Sequence, residues 1–263
     1  MRGKEQNNRT ENEFSKIKQN RYALLDSIRG IVLISMIVYH GAWNLVYIHG
    51  IKWDWYHTRS AYIWQQSICW TFLLLSGFCW SLGKRHLRSG LLVFGGGLLV
   101  SAVTLLAMPS NKVVFGVLTC IGSCMLLMIV LDKILKKIPS IIGLLGNFFL
   151  FLFTKHINRG YLGIGTESLL VLPKSLYQGY LAAYIGFTPN NFYSTDYFSL
   201  FPWIFLFLTG YFLYCIFAEK KWLNREMMKW NIPFCAYMGR HSLLIYLLHQ
   251  PILFLLGSIL FHK

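Results

Sequence analysis

Seven apolar runs of about 20 residues, at 22–48, 61–83, 90–107, 113–131, 138–155, 198–217 and 239–261, leave this chain one class of fold. A bilayer offers the backbone no water, so a spanning segment must satisfy its own N–H and C=O groups, and a run of this length does so as an α-helix. The two-residue alternation of a membrane β-barrel is absent from these runs. Charged residues make up 13% of the 263 positions, about half the share usual in a soluble domain, and the mean hydropathy is +0.47. The expectation is an all-α, polytopic membrane helical bundle of about seven transmembrane helices. It would form a single domain, 21–263, after a flexible polar segment, 1–20. No secretory signal precedes the first run, which is too long for a signal core and reads as a retained helix.

The formal charge of +15 sorts between alternate loops. Residues 1–21, 84–88, 132–137 and 218–230 carry sixteen Lys and Arg; the other loops and the C-terminus carry seven. The positive-inside rule places the first set, and the N-terminus, in the cytoplasm. Membrane topology thus accounts for a charge that would otherwise suggest nucleic acid, and no nucleic-acid partner is expected. Residues 156–197 interrupt the pattern with five glycines and two prolines. They read as an outer-face loop, with an eighth span as the alternative. The six cysteines form no CxxC pair and read as small buried thiols, with no metal site.

The first run holds charges that hydrocarbon tolerates only when they face protein or water, which makes them functional candidates. Asp26, Arg29, His40 and Asn44 fall on one helical face at about 100° per residue. Arg29 lies near the cytoplasmic boundary and His40 about 16 Å deeper. A guanidinium there suits a phosphate or pyrophosphate. A histidine at depth suits a general base or a nucleophile that carries an acyl group. The structural alternative is an Asp26–Arg29 ion pair fixing the helix end, with His40 bonded to a neighbouring helix. His49, at the outer end, is the second choice for a catalytic histidine should the helix break after Tyr47.

The last run repeats the theme. Gly239-Arg240-His241-Ser242 leads into a helix on which Ser242, Tyr246 and His249 share a face, followed by Gln250 and Pro251. Arg240 and His241 sit at the cytoplasmic end. Pro251 has no N–H and frees the Leu247 carbonyl. Asn44 and Tyr246 are candidates to stabilise an oxyanion. Internal packing of Tyr246 and His249 on a kinked helix is the competing account. Outside, Trp43, Tyr47, Trp53, Trp55 and Tyr56 read first as an interfacial aromatic belt, and second as a sugar-stacking surface.

These residues fall into blocks: Leu25-Asp26-x-x-Arg29-Gly30 with Met36 and His40; Phe72-x-x-x-Ser76-Gly77; Phe115-Gly116-Val117-Leu118; Asp196-Tyr197-Phe198 with Pro202-Trp203; and Gly239-Arg240-His241-Ser242-Leu243 with Tyr246-Leu247-x-His249-Gln250-Pro251. Over about 21–260 the chain resembles the catalytic-domain family of heparan-α-glucosaminide N-acetyltransferase in its bacterial short form. The Arg29-to-His40 spacing is also similar to that of the wider transmembrane acyltransferase superfamily. The resemblance implies a multi-pass enzyme of the bacterial cytoplasmic membrane. It implies acetyl-CoA as co-substrate from the cytoplasm and a sugar or glycan amine or hydroxyl as acceptor at the outer face. Arg29, Arg240, His241, Ser242, His249, Gln250, Arg85 and Arg88 would then bind CoA, with Asp26 orienting Arg29. Relatives carry a histidine where this chain has Thr119, and an active-site histidine in the outer loop whose nearest equivalent is His49. A homodimer is among the assemblies expected. A small proton-coupled transporter lined by the same polar stripe is the alternative, although no inverted repeat accompanies it.

Overall fold

The computed structural model describes residues 22–165 and 167–261. Segment 1–20, Arg21, Thr166, His262 and Lys263 lie outside the described residues, and with them the flexible-segment expectation. The helices are α1 (Ala23–Tyr47), α2 (Arg59–Trp80), α3 (His86–Ala107), α4 (Val117–Leu135), α5 (Ser140–Thr154), α6 (Gly179–Ile185), α7 (Leu200–Glu219), α8 (Pro233–Arg240) and α9 (Ser242–Leu260). The seven long helices match the seven apolar runs. Six of them are long and apolar enough to cross a membrane. The seventh, α2, has 22 residues. Its mid-helix polar groups are paired locally: the Gln66 amide donates to Gln65 at 2.7 Å, and Trp70 Nε1 donates to Gln66 at 3.2 Å.

Side-chain contacts show which helix ends lie together. At one end Arg29 meets Cys79, Trp80 stacks on His86 at 4.1 Å, the Tyr211 hydroxyl donates to Asp132 at 2.8 Å, and Ser140 bonds Glu219. This end gathers the basic loops. At the far end the Phe198 N–H donates to the Phe115 carbonyl at 2.8 Å and the Thr195 N–H to that of Lys112 at 3.1 Å. Residues 156–199 sit there as a two-stranded pair, β1 (Tyr161–Leu162) with β2 (Leu170–Val171), and the seven-residue α6. Seven residues reach only about 10 Å, so this segment adds no span. It docks on the start of α4, where Tyr184 donates its hydroxyl to Ser123 and packs on Phe115 at 5.2 Å.

The core lies between α2, α4, α5 and α7, and α7 is the most enclosed span, with Trp203, Leu206, Phe207, Tyr211 and Phe212 all buried. Most of the remaining exposed leucines and isoleucines are the surface that lipid covers. Three helix pairs approach until only glycine fits, one of them α3 with α4, where a Cβ on Gly97 would overlap the Thr119 backbone and one on Gly122 that of Phe94. A Cβ on Gly30 would overlap the Cys235 carbonyl, and one on Gly239 the Asp26 carbonyl, which seats α8 across α1. Gly77 and Gly210 play the same reciprocal parts between α2 and α7. Gly116, in the Phe115-Gly116 block, caps α4 beside Asp196. Gly239 and Arg240 belong to α8 rather than to the start of the last span, because α8 opens on Pro233 and the chain breaks at His241 (φ −104°, ψ 21°).

Candidate active site

α9 is the least enclosed of the candidate spans, and the residues it buries are His249 and Gly257. His249 therefore marks the side of α9 that faces protein. That side lies along α1: Gly41 faces Leu253, and the Gln250 amide nitrogen is 3.1 Å from His40 Nδ1. The His40 and His249 rings lie side by side, 5.0 Å between centroids and tilted by 56°. The His249 Nδ1 bonds the carbonyl of Tyr246, not the Leu247 carbonyl that Pro251 frees. One turn beyond His40, Asn44 is 4% exposed and neither its Oδ1 nor its Nδ2 has a partner among the described residues. The Nε2 of His249, a residue 6% exposed, has none either. An unpaired buried polar atom costs about 1–3 kcal/mol, and these three lie on α1 and α9, the helices that carry His40 and His249. Thr119 adds a fourth unpartnered atom, its hydroxyl buried against Gly97 of α3.

At the basic end, Arg29 donates to Asp26 Oδ1 at 3.4 Å and to Cys79 Sγ at 3.0 Å. Its side chain stays 22% exposed. Asp26 and Ser27 are buried beneath the segment leading into α8, with the Ile232 N–H donating to Ser27 Oγ at 3.0 Å. The ion pair and a binding role are thus compatible in one side chain. Arg85, Arg88, Arg240 and His241 are exposed at the same end, at the starts of α3 and α9. Among the described residues none of the three arginines is ion-paired, which leaves their charge available to an anion.

His49 is placed apart from His40. The α1 helix ends at Tyr47 and the chain turns so that the His49 ring lies 4.9 Å from Phe261, with its Nε2 against Gly257 and unpartnered. Gly257 is seven residues beyond Gln250, about 10 Å along α9. Both histidines thus address the same helix at two levels. Tyr39, Tyr56 and Trp64 form an aromatic cluster at the far end, and Trp64 Nε1 donates to Ser35 at 2.8 Å.

Asp196, named in the sequence only within a motif block, lies against one of the candidate residues. Asp196, just before α7, accepts from the Val117 N–H at the start of α4 and from the Tyr246 hydroxyl. Tyr246 in turn packs edge-on against His249 at 5.2 Å. Desolvation pushes the Asp196 carboxyl up to about 6, against the lowering effect of its two donors. The signal was visible as isolation: Asp196 is the single charged residue in the 44 positions from 175 to 218.

No curated protein and no solved structure matches the chain. The family model described as heparan-alpha-glucosaminide N-acetyltransferase, catalytic, matches residues 21–251. That range holds every block named above and runs from the base of α1 through the paired histidines. A multi-pass bundle with this site belongs to the heparan-alpha-glucosaminide N-acetyltransferase catalytic family, a family of membrane acetyltransferases.

Proposed function

We propose that this protein transfers the acetyl group of acetyl-CoA, entering from the cytoplasm, to an amine or hydroxyl of a sugar or glycan at the outer face of a bacterial cytoplasmic membrane. The observation that carries the reading is the set of unpartnered polar atoms of Asn44 and His249 beside His40, about 16 Å from a cationic end. An elongated donor with a charged head and a reactive tail has that shape. Arg29, Arg240 and His241, with Arg85 and Arg88, hold the CoA phosphates, aided by the free N–H groups of the first turn at Ser242. Asp26 orients Arg29. The pantetheine arm runs between α1 and α9 past Gln250, displacing α9, the span with the fewest buried residues. His40, His249 and Asn44 surround the thioester, and Tyr246, held by Asp196, backs His249. His49 stands on the acceptor side.

Acetyl-CoA at 100 times its Kd is expected to stabilise the purified protein by about 2.7 kcal/mol. Arg240→Ala, at an exposed position with no ion pair among the described residues, should leave the ligand-free Tm unchanged and shrink that shift. No stabilisation of wild-type protein by acetyl-CoA counts against the reading. So does wild-type release of CoA, in the presence of an acceptor it responds to, by both His40→Ala and His49→Ala.

A further inference from the structure

We propose a division of labour between the two neighbouring imidazoles of α1 and α9, in which His249 accepts the proton of the transfer and His40 donates a hydrogen bond to the thioester carbonyl. The proposal rests on the acetyltransferase reading above and assigns roles within it. A carbonyl oxygen only accepts, so the His249 Nδ1 facing the Tyr246 carbonyl carries the proton. In the neutral ring the lone pair then lies on Nε2, the atom that is buried without a partner. An amide nitrogen only donates, so the His40 Nδ1, 3.1 Å from Gln250 Nε2, carries the lone pair and the His40 proton sits on Nε2. Two rings 5.0 Å apart are thereby held in opposite tautomers by groups on one turn of α9. One offers an unoccupied base and the other an N–H donor.

The step balances with these rings and the two substrates. As the acceptor nitrogen or oxygen attacks the thioester carbon, its proton passes to His249 Nε2. Negative charge gathers on the carbonyl oxygen and is stabilised by the His40 Nε2–H and the neighbouring Asn44 Nδ2. The carbonyl re-forms as the C–S bond breaks. The departing thiolate then takes the proton from His249, leaving CoA as the free thiol, the acetylated acceptor and a neutral ring.

The tautomers are read directly from ring-nitrogen chemical shifts of isotope-labelled histidine in protein reconstituted into nanodiscs, with His40→Asn and His249→Asn for assignment. The expected result is a proton on Nδ1 of His249 and on Nε2 of His40; the reverse at either ring overturns the proposal. Kinetics supply the second arm, as thiol released from acetyl-CoA with glucosamine as the acceptor probe. His40→Gln keeps an N–H donor and should retain kcat within about 10-fold, whereas His40→Leu should lose about 10²–10³-fold. His249→Gln has no base and should lose about 10²–10⁴-fold in kcat with little change in KM for acetyl-CoA. Equal losses in the two glutamine variants would overturn the division of roles. Wild-type protein that releases no thiol counts against the acetyltransferase reading itself, while the tautomer measurement still decides the ring assignment.

Discussion

Valine in place of Gly30 is expected to leave almost no folded protein, seen as loss of the monodisperse peak after detergent extraction and of a cooperative melting transition. A Cβ at this position would overlap the carbonyl of Cys235, and the reciprocal glycine, Gly239, lies against the Asp26 carbonyl. Overpacking among side chains costs about 1–3 kcal/mol because side chains yield. Here backbone opposes backbone, so α8 must lift from α1. That breaks the bond from the Ile232 N–H to Ser27 Oγ and opens the buried faces of Asp26 and Ser27. A loss above about 4 kcal/mol belongs to the rare and diagnostic class of single substitutions, and it approaches the whole stability of a marginal domain. Gly146→Ala in α5, where nothing lies within 4 Å, is the matched control. It should melt at or slightly above the wild-type temperature, since alanine favours a helix by about 0.5–1 kcal/mol over glycine. A Gly30→Val protein that melts with wild type would mean that α8 does not cross α1 at this point.

Much of the architecture was legible because its signals are local and repeat. Length and continuity of the apolar runs placed seven long helices, and the alternation of basic loops placed their ends. The shared face of Asp26, Arg29, His40 and Asn44 was also periodic, and the structure turns it toward α2, α8 and α9. What escaped depends on contacts between distant segments. Gly239-Arg240-His241 looks like the lead-in to α9 because an apolar run follows; its membership of α8 is set by packing on Gly30, some 200 positions earlier. His49 sits beyond the helical period, and its place against Gly257 follows from how the chain turns after Tyr47. Asp196 has no period at all. A lone carboxylate in a polar loop gains meaning only when folding brings it to Val117, 79 residues away, and to Tyr246.

Asp196 also supplies a test that separates a buried acid from an ordinary loop aspartate. Its pKa rises from 3.8 in the open chain to about 6 in the folded protein. The native state therefore binds more protons than the unfolded state between roughly pH 4 and 6, and stability rises as pH falls through that window. The sign is opposite to that of a salt-bridged aspartate, whose contribution is lost on acidification. A rise of about two pKa units amounts to at most about 3 kcal/mol. Asp196→Asn, uncharged at every pH, should melt several degrees above wild type near pH 7.5, and the gap should close as the pH is lowered toward 4. Taking the difference between the two proteins cancels the histidines and other groups they share. A gap that stays constant from pH 4 to 8 would show that Asp196 does not titrate there. A wild type more stable than the asparagine variant at pH 7.5 would show the opposite balance, with the Val117 N–H and the Tyr246 hydroxyl outweighing desolvation and holding the carboxylate ionised.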